Sequence, residues 1–92
     1  MSNSIAIKDD LLLDKNLKAQ EVFLFLHLVR LCDKTTGILT ISGADLMTET
    51  RMTNKARMLR YLNTLIENGY IDKLENINKK STYKIHKEHF FK

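Results

Sequence analysis

A chain of 92 residues, 43% hydrophobic and 28% charged, has room for one domain around a single modest core, which excludes a multidomain enzyme and argues against disorder for its bulk. Its net charge of +4 is unevenly spread: residues 1–50 hold five Lys/Arg against seven Asp/Glu, and residues 51–92 hold ten against four. Four basic residues and no acidic one fall between Arg51 and Ile66, an electrostatic footprint suited to a polyanion.

The single cysteine, Cys32, cannot form an intrachain disulfide, so a secreted, bridge-stapled fold is not expected. The apolar stretch 22–31 is interrupted by His27 and Arg30 and is too short to span a bilayer. Met1-Ser2-Asn3-Ser4 is polar and leads to Lys8-Asp9-Asp10, unlike a signal peptide, so the expected location is cytoplasmic. One domain is expected over 1–92, with an N-terminal arm (1–16), a core fold (17–85) and a C-terminal tail (86–92).

Within the arm, residues 5–13 read as an extended segment or short strand. Asp14 or Asn16 is placed to cap a first helix over about 17–33, by accepting bonds from its free amides. Val22, Phe25, Leu26 and Val29 follow the spacing of a buried helical face. Gln20, His27, Arg30 and Lys34 share the opposite face, with Phe23 in their midst and Leu24 and Leu31 at the edges. Phe23 is either covered by the arm or by Phe90 and Phe91, or it is a dimer contact; Phe23, Leu24, Leu31, Phe90 and Phe91 are the candidate partner contacts.

Lys34-Thr35-Thr36-Gly37 reads as a turn with Gly37 at positive φ, and residues 38–41 as a short β-branched strand. Ser42 with Asp45 three residues on predicts a capped short helix over about 43–49. After a break at residues 50–52, Thr53 or Asn54 caps a third helix that ends at Asn68-Gly69, where glycine provides a left-handed residue. Met58, Leu59, Leu62, Leu65 and Ile66 form its apolar face, opposite Arg57, Arg60, Thr64 and Glu67. Residues 70–75 and 81–85 read as two strands of a hairpin with a basic tip at 76–80.

The predicted fold class is therefore mainly α with a small antiparallel sheet. Three pieces carry a resemblance: the segment 34–42 between the first two helices; Leu46-Met47 followed by Met52-Thr53; and Leu62-Asn63-Thr64-Leu65-Ile66-Glu67-Asn68-Gly69-Tyr70-Ile71, similar to a Leu-x-x-Leu-x-x-x-Gly-hydrophobic-Ile ending. From Ala19 to Ile85 the chain resembles the winged helix-turn-helix family of DNA-binding domains, and its opening and first helix are similar to small phage and plasmid replication or regulatory domains. Two positions depart from the pattern. Arg51 stands where the family usually has glycine, and Thr50 where it often buries an aliphatic residue, so the turn is built differently or Arg51 adopts an unfavourable backbone.

The resemblance implies a third helix lying in the major groove, whose width admits one helix and whose base edges differ at every pair. Under that reading Arg57 and Asn54 touch bases, while Arg51, Thr53, Lys55, Arg60 and Tyr61 hold phosphates. Lys79 and Lys80 extend the contact from the wing tip, and Ser42, at a helix start, is placed to present backbone amides to a phosphate. A homodimer would join two half-sites. Catalysis is not expected. His86 and His89 have no thiol pair or carboxylate cluster to complete a metal site, Cys32 sits at the end of an apolar helix, and no glycine-rich phosphate loop is present, so no cofactor or metal is expected. The alternative is a protein-interaction module built on the same surfaces.

Overall fold

The computed structural model of the chain describes residues 14–86. In order these form α1 (Ala19–Leu31), β1 (Ile38–Ser42), α2 (Gly43–Thr50), α3 (Lys55–Glu67), β2 (Ile71–Ile77) and β3 (Lys80–Ile85). Three helices and one antiparallel sheet of strand order β1-β3-β2 make a mixed α+β architecture. The arm up to residue 13 and the tail from residue 87, with Phe90 and Phe91, lie outside the described residues.

The chain enters α1 through a turn pinned by Asp14, whose carboxylate accepts the Asn16 N–H at 2.8 Å and the Tyr70 hydroxyl at 2.6 Å. Neither Asp14 nor Asn16 caps the helix. Lys18 occupies that position, and its own N–H donates to the Glu21 carboxylate at 2.6 Å. That bond offsets the desolvation of Glu21, which is only 6% exposed. The buried stripe of α1 is therefore Glu21, Leu24, Phe25, Leu28 and Val29, offset from the expected Val22-Phe25-Leu26-Val29 face. Leu26 is exposed and Val22 half-buried. A helix apolar on most sides fits two registers equally well, and a buried glutamate disguises the one adopted. One expected partner contact is corrected as a result: Leu24 is 0% exposed in the core and has no surface to offer, whereas Leu31 is half-buried against that core and keeps part of its surface.

After α1, the Asp33 carboxylate accepts the N–H groups of Thr35 and Thr36 at 2.7 and 3.0 Å. These bonds, Thr36 foremost, hold its carboxyl below the usual carboxylate range. Gly37 follows with φ 74°, and its carbonyl accepts the Ile85 N–H at 2.7 Å, so the turn is tied to the last strand. On the helix-facing side of the sheet, Leu39 of β1 and Tyr83 and Ile85 of β3 are buried; on the other, the Thr40 and Thr82 hydroxyls pair at 2.8 Å.

The hairpin is tighter than its composition implies. β2 and β3 run to Ile77 and from Lys80, leaving only Asn78 and Lys79 between them. Both have positive φ (53° and 67°), the backbone signature of a type I′ turn, whose twist matches that of paired strands. The register shifts between Lys73 and Glu75, where Leu74 is the extra residue of a bulge.

One core unites all of this. Leu24, Phe25 and Leu28 of α1, Leu46 of α2, and Met58, Leu62 and Leu65 of α3 pack with Tyr70, Ile71, Tyr83 and Ile85. Consequently α3 presents its opposite side outward.

Candidate functional site

Two helix ends of the same construction position the site. At the end of α3, Tyr70 N–H donates to the Leu65 carbonyl at 3.0 Å and Gly69 N–H to that of Ile66 at 3.1 Å, with Gly69 left-handed at φ 80°. This is a Schellman closure with glycine in its favoured place. At the end of α2, Met52 N–H donates to the Met47 carbonyl at 3.0 Å and Arg51 N–H to that of Thr48 at 3.3 Å. The residue in the glycine position there is Arg51, at φ 59°. A left-handed backbone costs a side-chain-bearing residue about 1 kcal/mol. Thr50, one residue earlier, is 1% exposed, and its hydroxyl donates to the Leu46 carbonyl at 2.7 Å, which lets a polar residue take an aliphatic one's place.

The strained position puts an arginine between α2 and α3. Arg51 lines a cleft of about 610 Å³ with Thr53, Asn54, Arg57 and Tyr61, walled on the α1 side by Gln20 and Phe23. Replacing Arg51 by glycine is expected to raise stability slightly, by up to about 0.5 kcal/mol, strain relief exceeding glycine's added chain entropy. It should also weaken any polyanion contact made here. Thermal melts and binding isotherms of the R51G variant, read together, check this; a less stable variant would contradict it.

The start of α3 is fixed by Asn54, whose Oδ1 accepts the Arg57 N–H at 3.0 Å. The cap engages the very atom that a two-bond contact with adenine needs as acceptor, so Asn54 is first of all a structural residue of the site. Arg57 and Arg60 are exposed and line a second groove between α1 and α3, which Lys18, Gln20 and Thr64 also border, together with the buried Glu21, whose carboxylate is taken by the Lys18 N–H. Lys18 belongs to this cationic surface although its position before α1 gave no sign of it.

On the other side of α3 a cleft runs to the hairpin, and Lys55, Leu59, Lys73 and Lys79 line it. Lys73 was hidden from sequence reasoning because only strand register shows that it faces α3, opposite buried Tyr83. Lys79 and Lys80 part company. Lys79, in the turn, borders the cleft, whereas Lys80 begins β3 one residue out of phase with the helix-facing Ser81, Tyr83 and Ile85 and projects from the far side of the sheet. Leu59, assigned by spacing to the apolar face, is 47% exposed.

The electrostatics favour an external anion. Among the described residues the ion pairs are Arg30–Glu49 and His86–Asp72, and none involves Arg51, Lys55, Arg57, Arg60, Lys79 or Lys80. Behind Phe23, His27 packs edge-on at 4.6 Å between ring centroids. Burial first, and Arg30 beside it, hold His27 below its ordinary imidazole value. Of the remaining candidate partner contacts, Phe23 is 49% exposed. No group of three or more metal-ligating side chains occurs among the described residues, and no helix among them is long and apolar enough to cross a membrane.

Comparison with known protein families, with curated proteins and with solved structures gives no match.

Proposed function

We propose that this chain is a winged helix-turn-helix domain that binds duplex DNA without catalysis, with α3 in the major groove and the β2–β3 hairpin as its wing. One observation carries the reading. The exposed side of α3 and the turn before it hold Arg51, Lys55, Arg57 and Arg60 in solvent, and no described carboxylate neutralises them. A patch this basic on a protruding helix is complementary to phosphate-lined walls about one helix apart. The order helix, strand, helix, helix, hairpin is consistent with it, and so is a basic hairpin tip beside α3. The role fits a cytoplasmic transcriptional regulator or a replication accessory of a mobile element. The half-exposed ring of Phe23 favours an additional protein contact, either a second copy or an assembly partner.

Salt separates the duplex reading from a purely apolar partner. With four to five phosphate contacts, affinity for duplex should fall on the order of a hundredfold between about 50 and 200 mM salt, measured by fluorescence anisotropy. A flat response, or no binding at low salt, would contradict it.

A further inference from the structure

Resting on the duplex reading, we propose that base recognition runs along the strip Ala56–Leu59–Asn63, and that Leu59 reads the 5-methyl group of thymine. Ala56, Leu59 and Asn63 stand at i, i+3 and i+7 of α3, and all three are exposed. The strip is bordered by cations on both sides. Arg57 and Arg60 flank it along the α1 groove, and Lys55 and Lys73 along the hairpin cleft, where Leu59 lines the wall beside them. A helix entering a groove meets phosphates on its two flanks and base edges along its crest. The strip carries no charge from Ala56 to Asn63, with Glu67 one turn beyond it, which assigns the arginines to the backbone and the strip to the bases.

Leu59 stands midway along that strip, on its hairpin side, with 47% of its surface in water. The apolar feature that a major groove offers such a side chain is the thymine methyl. Asn63, one turn on, carries an amide whose Nδ2 is held to Glu67 only by a 3.3 Å bond across one helical turn, so it is placed to pair with a neighbouring base edge.

The test begins with selection of duplexes from a randomised library by the whole chain, then resynthesis of the tightest one with uracil at each thymine. Enrichment of thymine at a fixed position is expected. Its replacement by uracil should weaken binding about fourfold, the value of one buried methyl-sized group. L59A should bind the thymine duplex more weakly and lose the thymine–uracil difference, with only a small drop in melting temperature because about half of the side chain is in water. L59N should move the preference at that position towards adenine. Equal binding of both duplexes by the native chain, or full discrimination retained by L59A, overturns the assignment of Leu59 while leaving duplex binding intact. Failure to enrich any duplex overturns the reading on which it rests.

Discussion

Replacing Arg57 and Arg60 together by alanine is expected to weaken duplex binding by about two orders of magnitude, roughly one for each charge-assisted hydrogen bond lost. Both side chains are exposed, both border the groove between α1 and α3, and neither has an acidic partner among the described residues. Their removal therefore deletes no internal interaction that holds the fold, and alanine is at least as good a helix former as arginine. The melting temperature should stay level or rise slightly. The loss should be similar on preferred and random duplex, because flank contacts set position more than sequence. Binding and melting of the double variant, measured in one buffer, check both halves. Affinity that holds steady would remove this flank from the interface, and a collapse in stability would make the arginines structural.

The largest effect on stability is expected at Phe25. Its ring is 0% exposed and meets Tyr70 edge-to-face with centroids 5.5 Å apart, and the Tyr70 hydroxyl in turn donates to Asp14. Phe25 thus joins α1 to the segment that leads from α3 into the sheet. Truncation to alanine should cost about 3–5 kcal/mol, from lost burial and from a cavity that two rigid neighbours close poorly. Against a total of about 5–14 kcal/mol for a chain of this size, that approaches unfolding near body temperature. Denaturant titration of F25A should move the midpoint far down. A shift below about 1 kcal/mol would mean that the core is looser than its burial implies. L26A, at a position of the same helix that is 37% exposed, should cost clearly less, about 1 kcal/mol.

The contrast between Phe25 and Leu26 marks where the sequence was legible. Element order was plain because its signals are local and chemically distinct: Ser42 before α2, Asn54 before α3, Gly69 after it, and a β-branched run at residues 38–41. Each places one side chain against backbone groups a few residues away. Of the two alternatives left open for the turn after α2, the second is found: Arg51 takes the left-handed backbone. The face of α1 was ambiguous for the opposite reason. Leu24, Phe25, Leu26 and Leu28 are interchangeable by hydropathy, and only packing against α3 and the sheet decides which enter the core.

The candidate site divides in the same way. Arg51, Arg57 and Arg60 announce themselves by charge, and a stretch from Arg51 to Ile66 with four basic residues and no acidic one is visible without coordinates. Lys18 and Lys73 do not, because Lys18 reaches the surface of α3 from a segment remote in sequence and Lys73 faces α3 only by the register of its strand. Leu59 was misplaced because a leucine three residues from Leu62 looks like core; the buried arc through Met58, Leu62 and Leu65 leaves it just outside. The hairpin tip shrank because Asn78 and Lys79 both adopt positive φ, readily for Asn78 and at a cost of about 1 kcal/mol for Lys79, which lets two residues do what five were assigned to do.

Backbone amide resonances followed during titration with duplex DNA test the central claim most directly. The account predicts that the largest shifts gather at residues 51–63 and at Lys73 and Lys79, while the far side of the sheet around Thr40 and Thr82 stays unmoved. Shifts centred on the far side of the sheet, or none while duplex is present in excess, would contradict it.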